Sequence, residues 1–239
     1  MYLHRFALGP VDLAFTDRFG GVSAVPYDEL NLAHEGGDDP VSVAENHRLL
    51  LADFAPGDAL ADLHQVHGDT VVLAGAGGFA TAPDADGVVA VEHGVTLMVR
   101  AADCVPVLLA DPAAGVVGAA HSGRPGLVAG VVPATIARMR ALGAEQVTAW
   151  IGPHVCGACY EVPEAMQAEV GAVVPESIAT TSWGTPSLDI GAGVRAQLER
   201  AGVVVHDLSR CTRESADLYS YRRDGVSAGR LAGLIRLRG

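Results

Sequence analysis

Around residues 12–17 apolar and polar positions alternate as in a half-buried strand, and the run ends in the turn-forming pair Gly20-Gly21. Asp39-Pro40 reads as an N-cap followed by proline at the first helical position. Val43, Leu49 and Leu50 then recur at amphipathic helical spacing as far as about Phe54. Short apolar runs rich in β-branched residues predict strands at 70–73, 87–91, 96–100, 105–110 and 116–120, with more at 147–151, 203–206 and 231–236. Helical periodicity covers 128–142, 164–173 and 191–201. Strands cluster early and alternate with helices only in part, which predicts an α+β fold with mixed and antiparallel sheets flanked by helices. Neither a repeat nor a long polar linker divides residues 1–239, so they are read as a single domain.

Composition narrows the functional classes. The chain has 239 residues, 49% apolar and 18% charged, enough for a substantial core. Arg100, Asp103, Asp111 and Arg124 interrupt its most apolar region before a spanning length is reached, so no membrane partner is expected. Gly9, Pro10 and Asp12 break up any secretory leader, and the cytoplasm is the default compartment. All 16 basic residues are Arg, and the missing lysine excludes Schiff-base chemistry and a Walker-type phosphate loop. A net charge of −12 argues against nucleic acid as a partner. From Arg195 onward, however, nine Arg face five acids, so this tail is positive and a local anion site is possible there. The four cysteines are expected as thiols. Cys156-Gly157-Ala158-Cys159 has metal-knuckle spacing, but a knuckle needs a second ligand pair, and without one in view the pair is read as packing in a tight turn.

Candidate chemistry gathers around Cys104 and His121. The apolar runs 105–110 and 116–120 flank Asp111-Pro112-Ala113-Ala114-Gly115, which predicts an antiparallel hairpin. Folded between Pro112 and Ala113, it sets Cys104 opposite His121, close enough to share a metal or a proton. One histidine of His64-Gln65-Val66-His67 is expected to join them, and spacing does not choose which. Two imidazoles and a thiolate with an open fourth position suit a catalytic zinc. A metal-free Cys104 nucleophile with His121 as base, and an inert core pair, are the alternatives. Copper fits less well, because no His and Met follow Cys104 closely and no His-x-His pair occurs.

At these residues the chain resembles the YfiH/YlmD family, whose members are described both as laccase-domain polyphenol oxidases and as purine nucleoside phosphorylases. The resemblance runs nearly end to end. It is carried by 16–23 (Thr-Asp-Arg-Phe-Gly-Gly-Val-Ser), Asn31-Leu32, Gly37-Asp38-Asp39, Gln65-Val66-His67-Gly68, Asp84-Ala85-Asp86-Gly87, Ala102-Asp103-Cys104-Val105-Pro106, Ala120-His121-Ser122-Gly123, Ile151-Gly152-Pro153, Cys159-Tyr160-Glu161-Val162, Cys211-Thr212 and 220–224 (Ser-Tyr-Arg-Arg-Asp). It implies zinc ligands His67, Cys104 and His121, leaving His64 outside the ligand set. It also implies phosphorolysis of purine nucleosides including methylthioadenosine, with adenosine deamination, and a fold similar to that of certain Cys–His hydrolases.

On that reading Asp86 and Glu161 shuttle protons, while Arg18, Arg222 and Arg223, with Asn31, hold substrate and phosphate. Asp103 either orients a ligand or caps the hairpin. Two departures stand out. Where the family continues Trp-Arg-Gly after the histidine motif, this chain has Arg124-Pro125-Gly126, and the family's Asn-Arg pair reads Asn46-His47-Arg48. The family arginine contact is therefore not carried over. Competing readings are a cell-wall-precursor editing hydrolase, a copper-dependent phenol oxidase and a zinc-stabilised binding protein. Either a monomer or a homodimer is compatible with the sequence.

Overall fold

The computed structural model describes all residues, 1–239. Its first half contains β1 (Tyr2–Leu8), β2 (Val11–Thr16), α1 (Pro40–Phe54), β3 (Ala59–Ala61), β4 (Val71–Leu73), β5 (Gly87–Ala90), β6 (Val95–Ala101), β7 (Val105–Asp111) and β8 (Val116–Ser122). There follow α2 (Arg124–Ala129), α3 (Val131–Ala141), β9 (Thr148–Ile151), α4 (Glu164–Val173), β10 (Ile178–Thr180), β11 (Pro186–Leu188), α5 (Ile190–Arg200), β12 (Val204–Asp207), α6 (Tyr221–Asp224) and β13 (Leu231–Leu237).

The elements form four layers. A five-stranded sheet runs β1-β2-β13-β6-β3, and a six-stranded sheet runs β12-β9-β7-β8-β5-β4; β10 and β11 form a separate small ribbon. Between the two large sheets lie Leu13, Phe15, Leu97, Ile235, Leu108 and Trp150. The other face of the six-stranded sheet packs Val107, Leu109 and Val116 against Leu127, Ile136, Val170 and Val194 of α2–α5. Outside the five-stranded sheet, Leu50 and Phe54 of α1 cover Ala14, Met98 and Leu234. β7 and β8 are thus buried on both faces, which is why they read as continuous apolar runs and not as alternating ones. The fold is α+β, and no helix is long and apolar enough to cross a membrane.

Local signals act as their chemistry dictates. The Asp39 carboxylate accepts the amides of Val41 and Ser42, a cap worth about 1 kcal/mol to α1. The helix expected over 128–142 is broken into α2 and α3 at Gly130, whose φ of +90° suits glycine. The hairpin forms, but its register differs from expectation. Four residues, 112–115, make the turn and His121 pairs with Pro106. Asp111 sets this longer turn by accepting the amides of Ala113 and Ala114 while its other oxygen anchors Glu145 and Gln146. The shift is by an even number of residues, so Cys104 and His121 keep the same face and meet diagonally.

Candidate functional site

Several chain reversals deliver polar side chains to one end of the paired sheets. Cys104 lies just before β7, His121 near the end of β8, and His67 in the loop between β3 and β4. Their ligand atoms all lie within 4.8 Å of one another. Cys104 Sγ is 3.8 Å from His67 Nε2, and the rings of His67 and His121 meet edge to face. A tetrahedral zinc with ordinary bonds to sulfur and nitrogen holds such atoms about 3.5 Å apart, so the donor set fits a divalent metal with little adjustment.

The backbone is bent to present these groups. His67 and Asp103 have φ values of +62° and +86°, which is left-handed backbone that ordinary side chains seldom adopt. Asp103 is held there by Thr212 Oγ1 and the amide of Arg222, both donating to its carboxylate at 2.5 Å. It therefore does not reach a ligand side chain. It fixes the turn that presents Cys104. Gly123 is required by space, since a Cβ there would lie 2.7 Å from His67 Cδ2 and 2.9 Å from Cys104 Sγ.

The electrostatics favour a thiolate. Burial opposes ionisation of Cys104, but His121 and then His67 outweigh it and draw the thiol well below its usual range. Burial likewise opposes protonation of His121, while the Cys104 sulfur and the Asp86 carboxylate raise its proton affinity. The same pair can thus bind a cation or stand as thiolate and imidazolium.

Next to the triad lies a cavity of about 710 Å³. That volume lies within the range of small-molecule sites. Arg100, Arg124, Arg222, Arg230, Tyr160 and Tyr221 line it, with His34, Glu35 and His64 also on its wall. Arg100 is occupied by Asp62 and by the Leu63 carbonyl. Arg124, Arg222 and Arg230 make no ion pair with any carboxylate. Arg222 stacks over Tyr160 at 4.7 Å and donates to the Glu161 carbonyl, and the Arg230 guanidinium donates only to the carbonyls of Ala228 and Gly229. Burial lowers the pKa of Arg230, as befits a desolvated cation with no carboxylate partner.

Several residues expected at the site lie elsewhere. Asp86 is fully buried behind His121. One oxygen accepts from His121 Nδ1 at 2.8 Å and the other from the amides of Val66 and Gly68, which leaves no face toward the cavity for a proton shuttle. Glu161 points away and accepts from Trp183 Nε1, because its bridge to Ser187 turns only Tyr160 inward. Arg18 pairs with Asp28 and stacks on Tyr219. Arg223 grips Asp224 and the carbonyls of Thr212, Ser215 and Leu218. Asn31 is buried, donating to Asp38 and accepting from the amides of Ala33 and Arg230. These three hold loops together and do not line the cavity.

The displaced Arg124 does line the cavity, because it opens α2 at the triad's edge, whereas Arg48 pairs with Glu45 on the surface. Arg230 carried no sequence signal beyond the positive tail, and Arg100 carried none for the site. His64 is outside the triad, held between Asp84 and Glu35.

Comparison with known proteins gives a consistent picture. The family model for multi-copper polyphenol oxidoreductase laccase matches residues 12–238. A purine nucleoside phosphorylase of Streptomyces coelicolor is 56% identical over 240 residues, covering 98% of each chain. Among solved structures, a Neisseria meningitidis protein superposes with a TM-score of 0.89 at 34% identity, covering 100% of this chain and 99% of that one. YlmD of Geobacillus stearothermophilus gives 0.85 at 31% identity, covering 96% and 93%.

Proposed function

Since the chain belongs to the multi-copper polyphenol oxidoreductase laccase family, the YfiH/YlmD group, we propose that it is a purine nucleoside phosphorylase that holds zinc on His67, Cys104 and His121. The observation that carries this reading is the shared cavity, in which the triad and three guanidinium groups free of carboxylates face one space. A polyanion such as phosphate is what such groups grip, bidentately where geometry allows.

In phosphorolysis a phosphate oxygen bonds to the ribose C1′, the bond from C1′ to the purine nitrogen breaks, and the base leaves with a proton. Arg124, Arg222 and Arg230 orient the phosphate and offset its charge as the bond forms. Tyr160, backed by Arg222, offers an aromatic face to the base. With Asp86 and Glu161 turned away, proton delivery falls to His64, whose proton affinity is raised first by its hydrogen bond to Asp84. Zinc supplies a Lewis acid beside this cavity, the chemistry that adenosine deamination also needs. Methylthioadenosine belongs to the same substrate class.

Incubating the protein with adenosine, with and without phosphate, tests the proposal. Ribose 1-phosphate and adenine formed only when phosphate is present support it. Base release that ignores phosphate, or no turnover by metal-replete protein, overturns it. Inosine and ammonia in the same samples report the deaminase activity separately.

A further inference from the structure

A second set of metal-binding side chains lies behind the cavity wall. Cys156 and Cys159 flank a tight turn in which the Cys159 amide donates to the Cys156 carbonyl at 3.0 Å. Their sulfurs do not join any hydrophobic cluster, as packing residues would. They meet those of a distant segment, Cys211-Thr212-Arg213-Glu214, which has the same two-residue spacing between donors. One ligand atom from each of Cys156, Cys159, Cys211 and Glu214 lies within 4.8 Å of all the others. Glu214 Oε1 is 3.4 Å from Cys159 Sγ. This is the missing second pair of a knuckle, with a carboxylate in place of the fourth thiol.

We infer that Cys156, Cys159, Cys211 and Glu214 form a second, structural metal site, separate from the His67–Cys104–His121 triad, that takes a zinc-like divalent cation in a closed four-donor shell. Three sulfurs and one oxygen complete a tetrahedron and leave no position for substrate, as in structural zinc sites.

The position suggests what the ion does. The segment bearing Cys156 and Cys159 also supplies Val155 and Tyr160 to the cavity. The other segment supplies Thr212, which anchors Asp103 beside Cys104, and it pairs with the first through His154 and Cys211. A metal cross-link between them fixes the wall that carries Tyr160 and the support of Cys104.

The test uses the full chain purified under reducing conditions, with the first site disabled by Cys104→Ser and His67→Ala, and cobalt(II) as the probe. This variant should retain one cobalt per chain, with intense near-ultraviolet thiolate-to-cobalt absorption and the visible spectrum of a four-coordinate ion. Adding Cys211→Ser should weaken cobalt binding by at least roughly tenfold. No retained cobalt, or a chain lighter by two hydrogens because a disulfide has formed, overturns the inference. Should the double variant fail to fold, native mass spectrometry of the metal-replete wild-type chain decides: two metal ions per chain support the site, and one overturns it.

Discussion

Asp86 couples the two histidines of the triad: it accepts His121 Nδ1 at 2.8 Å with one oxygen and the Gly68 amide, next to His67, at 2.7 Å with the other. The first contact fixes the His121 tautomer so that Nε2 faces Cys104, and the second fixes the bend that brings in His67. Asp86→Asn keeps the size but loses the charge and one acceptor. Metal affinity, read by competition with a chromophoric chelator, should fall roughly 10–100-fold, with turnover restored by excess metal. Unchanged affinity would show that His121 is oriented by packing alone.

Gly123→Ala tests whether the triad depends on close approach. The backbone at Gly123 is ordinary, so the added methyl acts only through its contacts with His67 and Cys104. A displacement of about 1 Å at reacting groups costs on the order of 100-fold in rate. Turnover and metal content should therefore drop together while the thermal midpoint moves little. A variant as active as wild type would remove the ring of His67 from the working site.

Arg230→Gln and Arg124→Gln probe the anion site. Losing a charge-assisted hydrogen bond costs about 1.5–3 kcal/mol. The KM for phosphate should rise at least roughly tenfold with little change for nucleoside, and Lys at either position should recover only part of the loss. An equal rise in both KM values would assign these arginines to the cavity's shape and not to phosphate.

What was readable in the sequence follows from how local each signal is. Asp39-Pro40 and the apolar runs of β7 and β8 depend on neighbours within one element, and they form where expected. The short strands β3, β10 and β11 have only three residues each and take their conformation from their partners, so no pattern announces them. At the site, His67 sits in left-handed backbone that is neither helix nor strand, which is why helical or strand spacing could not choose it over His64. Arg223 shares its motif with the cavity residues Tyr221 and Arg222 yet, like Arg18 and Asn31, serves loops. Only the folded chain reveals that Arg100 and Arg230, 130 positions apart, line one wall.

His47 provides a pH test remote from the triad. It stacks on His34 at 4.6 Å, and its Nε2–H donates to the Leu32 carbonyl. Burial is the largest influence on it and, despite the opposing pull of Asp62, lowers its pKa from 6.5 to about 4. The unfolded chain therefore binds a proton at this residue as pH falls through 6.5, whereas the folded chain refuses it until about 4. The contribution of neutral His47 to stability is thus complete above pH 6.5 and is lost progressively between 6.5 and about 4. Its size is on the order of 3 kcal/mol. His47→Gln keeps a donor for Leu32 but cannot titrate. Urea midpoints measured from pH 7.5 to 4.5 should fall more steeply for wild type than for the variant, with the two curves diverging below pH 6.5. Parallel curves would mean that His47 protonates as readily in the folded chain as in the unfolded one, and would overturn the assignment of this pH dependence to its burial.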